Sequence, residues 1–151
     1  MLALLLLGGC QSTPAKGLNA QQLAMLRQQG FALTDEGWAY DLSGKVLFGS
    51  DLETLNAQSQ AIVERIGKAL LSVNIQRVRV DGHTDASGKP AYNEQLSLRR
   101  AGSVGKVLIA VGMRPENIEL RGMGSRQPVA VNDTAAGRTE NRRVSIVVAS
   151  E

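Results

Sequence analysis

From residue 56 to the end of the chain, the spacing of apolar residues switches back and forth between the helical and the extended period. Ile62, Ile66, Ala69, Leu70 and Val73 fall on one helical stripe, with Asn56 placed to cap it. Val78 and Val80 then alternate with Arg77 and Arg79, which predicts a strand over Ile75 to Asp81 with one wet face. Leu96, Ala101, Val104, Leu108 and Val111 return to the helical period across Ala91 to Val111, where Gly112 ends the helix. A strand follows from Ile118 to Arg121. A long polar loop runs from Gly122 to Gly137, with a helical turn near Arg138 to Asn141. Val144 to Val148 is almost continuously apolar, as a central strand is. With a short strand at Lys45 to Phe48, the order is β-α-β-α-β-β. Strands that alternate with helices predict an α/β (α+β sandwich) fold with the helices packed on one face of a mixed sheet.

A smaller unit precedes this pattern. Asn19 can cap a short helix, with Gln22 at the reciprocal capping-box position and Gly30 as its stop. Phe31 and Leu33 alternate, Asp35-Glu36-Gly37 supplies a turn, and Trp38, Tyr40 and Leu42 alternate again, which predicts a hairpin. The chain has only five aromatic residues, and four of them (Phe31, Trp38, Tyr40 and Phe48) fall in this stretch. Two readings stay open: they pack residues 19–43 onto the domain at 44–149, or Phe31, Trp38, Leu42 and Phe48 form a partner-binding patch. On the second reading the segment packs at rest and exposes a binding surface on release.

The single Cys and single His exclude an internal disulfide framework and leave too few ligands for a zinc site. No cofactor or metal is expected, and no catalytic constellation is legible. Ser97 or Ser87 with His83 and Asp85 makes a poor triad, because His83 and Asp85 lie two apart in one loop, which defines no roles. His83 reads as a structural imidazole bonding the loop. Cys10 closes the apolar run Met1-Leu2-Ala3-Leu4-Leu5-Leu6-Leu7-Gly8-Gly9, which is far shorter than the roughly 20 residues of a membrane span. Leu7-Gly8-Gly9-Cys10 resembles the bacterial lipoprotein cleavage box. That resemblance implies a leader at 1–9, a lipidated thiol at Cys10 and a polar tether over 10–18. No Lys or Arg precedes the apolar run, so the leader reads as incomplete.

The loop Gly82-His83-Thr84-Asp85-Ala86-Ser87-Gly88 joins a strand to a helix, where ligands bind in α/β folds. Asp85 on this loop and Arg100 on the following helix offer one anion and one cation. Together they could clamp the ammonium and carboxylate of a free amino-acid end, or they could simply pair with each other. The net charge of +3 is uneven: residues 71–151 carry twelve Lys or Arg against eight Asp or Glu. That basic excess suits an anionic partner without naming one.

Read as a string, Gly82-His83-Thr84-Asp85, Tyr92-Asn93, Leu96-Ser97 and Arg99-Arg100-Ala101 resemble the C-terminal domain of outer-membrane protein A. Gly122-Met123-Gly124, Pro128, Asn132, Thr134, Gly137-Arg138 and Asn141-Arg142-Arg143-Val144 continue the likeness in order. The resemblance implies a non-enzymatic domain that binds peptidoglycan through the diaminopimelate of the stem peptide. It implies Asp85 for the ammonium and Arg100 for the carboxylate, with Asn93, Leu96, Ser50, Asp51 and Gly88 as further pocket positions. Arg138, Arg142 and Arg143 belong to the closing motif and imply no nucleic-acid site.

The stretch from Leu18 to Phe31, with Asp35-Glu36-Gly37-Trp38 and Val46-Leu47-Phe48-Gly49, is similar to YfiB-type outer-membrane lipoproteins. That likeness implies a lipid-anchored protein facing the periplasm. It also implies a partner, a periplasmic repressor of YfiR type, whose capture frees a diguanylate cyclase of YfiN type to make cyclic di-GMP. The alternative is a purely structural anchor between outer membrane and wall. Whether the chain forms a homodimer stays open.

Overall fold

The computed structural model describes residues 17–43 and 53–150. The sequence-predicted strand at Lys45 to Phe48 lies outside them, as do Cys10, Phe48, Ser50 and Asp51. In chain order the elements are α1 (Ala20–Gln29), β1 (Ala32–Thr34), β2 (Gly37–Ser43), α2 (Ala57–Ser72), β3 (Val78–Gly82), α3 (Pro90–Ala110), a 3-10 turn (Pro115–Asn117), β4 (Ile118–Gly122), α4 (Ala135–Asn141) and β5 (Arg143–Val148). One sheet holds all five strands in the order β1-β2-β5-β3-β4. Only the β3–β4 pair is parallel. The fold is therefore the mixed α/β sandwich that the periodicity predicts, and β5 is its middle strand.

Local chemistry sets the helix ends. The Asn19 side chain accepts from the Gln22 N–H, and the Gln22 side chain accepts from the Asn19 N–H, each at 2.9 Å. Gln22 also donates to the Val73 carbonyl, which ties α1 to the end of α2. Asn56 caps α2 through the Ser59 N–H. The stripes of α2 and α3 bury Val63, Ile66, Leu70, Ala101, Val104 and Leu108 against Val78, Val80, Val144, Ile146 and Val148 of the sheet.

The hairpin differs from a separate appendage. β2 pairs with β5 from Trp38↔Val148 to Ser43↔Arg143, so it is an integral strand of the sheet. Phe31, Trp38 and Leu42 are buried in the common core with the residues of α2 and β5. The physical reason is β5: an apolar middle strand needs a neighbour on each side, and β2 supplies one of them.

The opposite face of the sheet is polar. Asp41, Ser145, Asp81 and Arg121 stand in one row across β2, β5, β3 and β4. Asp81 is almost fully buried between Arg79 Nε at 2.9 Å and Arg121 Nε at 3.0 Å. Glu36, in the hairpin turn, pairs with both arginines. Burial opposes ionisation of Asp81, and the two guanidiniums outweigh it, so its pKa lies below the usual carboxylate value.

Strand direction separates two poles. β5 begins at Arg143, beside His83, and ends at Val148. Its six residues span about 17 Å. Gly17, where the described chain starts, packs against the Ser150 carbonyl beyond the end of β5. The loop after β3 lies at the other pole.

Candidate functional site

The loop that follows β3 is fixed on several sides. Its start is tied by backbone bonds from His83 to the Arg143 carbonyl and from Thr84 to the Gly124 carbonyl, both at 2.8 Å. Gly82 lets strand and helix touch here: a Cβ on it would sit 1.8 Å from the Ser97 carbonyl oxygen of α3. The loop closes at Gly88, whose φ of +85° lies in the left-handed region, and Pro90 then opens α3.

Within this frame Asp85 is 7% exposed. Its Oδ1 accepts from the Ser87 N–H at 2.8 Å, and its Oδ2 accepts from Arg142 Nη1 at 2.6 Å. Arg142 Nη2 donates in turn to Thr139 Oγ1 at 3.0 Å. Burial raises the pKa of Asp85, but the Ser87 N–H and the Arg142 guanidinium more than offset it and hold the carboxyl below its ordinary value.

Arg100 is 4% exposed on α3. Burial and the positive charge of Arg142 lower its pKa, while the negative charge of Asp85 opposes them. The guanidinium still stays charged, as arginine does in proteins. The site therefore brings Asp85 and Arg100 into one electrostatic neighbourhood, as the sequence predicts. It sets both in a poorly hydrated place where charge-assisted bonds are strong.

Asn93 and Leu96 are buried on the same side of α3. Asn93 Nδ2 donates to the Ser87 carbonyl at 2.8 Å, so this residue shapes the loop from beneath. Leu96 supplies an apolar wall, and Tyr92, half exposed, lies near enough to act on Arg100. The chain returns at Glu53, which pairs with Arg99 at 2.6 Å and accepts from Ser103 through its carbonyl.

The closing motif is the part the sequence reading left without individual roles. Asn141 is fully buried, and its side chain bonds the Val129 N–H, the Ala130 N–H, the Ala130 carbonyl and Asn132 Oδ1. Asn132 Oδ1 also accepts from the Ala86 N–H at 3.1 Å, which links this stitch to the Asp85 loop. Arg142 reaches Asp85, and Arg143 Nη1 donates to the Gln127 carbonyl. The signal was present in the string Asn141-Arg142-Arg143, but only the fold shows that its three side chains point to three different tasks.

His83 is buried at 3% exposed, and its pKa is pushed down to about 4 by burial first and Arg143 next. Its imidazole does not hold the loop through Nδ1, which has no hydrogen-bond partner among the described residues; the backbone N–H does that work. Ser97 Oγ donates to the Glu94 carbonyl and accepts from the Gly124 N–H, so it is a packing hydroxyl. Phe31, Trp38 and Leu42 are buried, the resting arrangement in both open readings. They sit in the core and could meet a partner only if β2 left β5.

Among the described residues no cluster of His, Cys, Asp and Glu could hold a metal, and no helix is long and apolar enough to cross a membrane.

The family model described as the OmpA family matches residues 47–142. The outer-membrane lipoprotein YfiB of Pseudomonas aeruginosa is 52% identical over 146 residues, covering 96% of this chain and 87% of that protein. The putative lipoprotein YfiB of Escherichia coli is 38% identical over 145 residues, covering 95% and 90%. The solved structure of the cell wall anchor of the T6SS from Pseudomonas aeruginosa matches with a TM-score of 0.70 at 31% identity, covering 91% of this chain and all of that one.

Proposed function

The chain belongs to the OmpA family, matched over residues 47–142, and from that membership we propose an outer-membrane lipoprotein that grips peptidoglycan from the periplasmic side. Its ligand is the diaminopimelate of the stem peptide. Asp85 takes the free ammonium and Arg100 the carboxylate on the same carbon. Gly88, Asn93 and Leu96 shape the cradle, and the family resemblance adds Ser50 and Asp51, which lie outside the described residues. The observation that carries this reading is the pair itself: one buried carboxylate and one buried guanidinium, on a loop and a helix that pack together. A zwitterion offers an ammonium to the Asp85 carboxylate and a carboxylate to the Arg100 guanidinium at once, whereas a simple anion or cation can engage only one of the two.

The two poles support the same reading. The tether that follows the lipidated Cys10 joins the body near Ser150, while the site opens at the other end of the strands. A molecule anchored at the first pole presents the second to the wall. Two acyl chains already anchor stably, so a triacylated cysteine would hold the protein permanently.

The likeness to YfiB lipoproteins over nearly the whole chain supports a second layer: capture of a periplasmic repressor of YfiR type, which relieves a cyclase of YfiN type and raises cyclic di-GMP. With Phe31, Trp38 and Leu42 buried, capture through them requires β2 to leave β5, whereas the alternative, a structural wall anchor, requires no such release. A pull-down from periplasm, with wild type and Asp85→Ala, with and without purified peptidoglycan, separates the layers. Recovery of no protein partner sinks the signalling role. Wall binding unchanged in Asp85→Ala sinks the site.

A further inference from the structure

Asp85 already has a cation. The Arg142 guanidinium sits 2.6 Å from Oδ2, held from behind by Thr139, on a side chain that is 37% exposed. We propose that Arg142 occupies the place of the ligand's ammonium group and must swing aside for it, so that Arg142 sets both the affinity and the selectivity of the site. This rests on the assignment of Asp85 as the ammonium-binding carboxylate.

Binding at Asp85 is an exchange of cations. A carboxylate this deeply buried would be costly to leave without a counter-charge. Arg142 supplies one, and its exposure means that it can turn into water without disturbing the core. Ser87 cannot leave in the same way, because its contribution is a backbone N–H in the loop. An incoming ammonium gains Asp85 only against the loss of the Arg142 contact, so binding is weaker than a bare carboxylate would give. The exchange also selects. A ligand with a carboxylate but no ammonium would leave Arg142 on Asp85 and engage Arg100 alone. A ligand with both charges completes the swap. The charged groups that act on the Asp85 carboxyl are Arg142, beyond α4, and Arg100, on α3; the loop itself adds the Ser87 N–H.

The test uses the soluble mature chain and a diaminopimelate-containing stem peptide, titrated calorimetrically at neutral pH. Arg142→Gln removes the competing cation and is expected to tighten binding about fivefold, the scale of one half-exposed ion pair. Thr139→Val leaves Arg142 in place but loosens it, and is expected to tighten binding to a smaller extent. Arg142→Lys keeps a cation near Asp85 and stays close to wild type. In Arg142→Gln, binding on acidification is also lost at a higher pH, because Asp85 no longer has the guanidinium that favours its ionised form. Unchanged or weaker binding in Arg142→Gln or Thr139→Val, with the variant folded by circular dichroism, overturns the inference and leaves the site reading standing. Failure of wild type to bind the peptide overturns the site reading and this inference with it.

Discussion

Arg142 stands 57 residues after Asp85 in the chain and 2.6 Å from it in the fold. That contact fastens the last helix to the loop after β3, and it fixes where charge lies in the site. The whole closing segment works this way: Asn141 and Arg143 brace the loop between β4 and α4, and Arg142 braces the loop after β3.

Asn141→Ala is expected to destabilise the protein by about 3 kcal/mol, since several buried polar groups lose their partner at once. Chemical denaturation checks it. The loss should be accompanied by weaker stem-peptide binding, because Asn132 couples the same stitch to Ala86. A variant as stable as wild type would show that the loop is held elsewhere.

The stability of the domain is expected to fall on acidification between about pH 6.5 and 4, with His83 as the cause. Its folded pKa lies below the unfolded value, so across this window the unfolded chain binds more protons than the native one. Stability therefore rises with pH there and is lost as pH falls. The full drop is about 3 kcal/mol. His83→Gln flattens the slope in that window while leaving a separate loss at lower pH, where Asp81 and Asp85, both with depressed pKa values, take up protons. Denaturant midpoints measured from pH 7 to 4 decide it, and an equal slope in the variant would contradict the assignment.

Trp38→Ala is expected to cost about 3–5 kcal/mol through loss of core volume. It should lower the melting temperature without any effect on partner capture beyond what the folded fraction explains. The Arg27 guanidinium lies 5.4 Å from the Trp38 ring centroid, so Arg27→Ala removes a cation–π contact and costs far less. If Trp38→Ala kept its stability and lost only a protein partner, the residue would be an interface residue after all.

The sequence made the local structure legible, and some of the long-range structure. Asn19, Gln22 and Asn56 announce helix starts because capping is a short-range bond whose donors lie within three residues. The stripes of α2 and α3 and the apolar run of β5 are equally local signals. The hairpin's place was not legible. Alternation in Trp38, Tyr40 and Leu42 shows that one face is buried, but not which strand lies alongside. Asp41 meets Ser145 across 104 residues of sequence. The same limit hid Arg142 and the Asp81 cluster. Alternation along β3 puts Arg79 and Asp81 on one face, but only the register of β3 against β4 brings Arg121 to them. Asp85 and Arg100 stood out as candidates because a string of family residues surrounds them.

The central claim is that Asp85 and Arg100 clamp a zwitterion. The most direct measurement is calorimetric titration of a diaminopimelate stem peptide into wild type, Asp85→Asn and Arg100→Gln, with a peptide lacking the free ammonium as the control. Each variant is expected to lose at least about thirtyfold in affinity, the scale of one buried charge-assisted bond, and wild type to reject the control peptide by a similar factor. Wild-type affinity in Asp85→Asn, or equal binding of the two peptides, would contradict it.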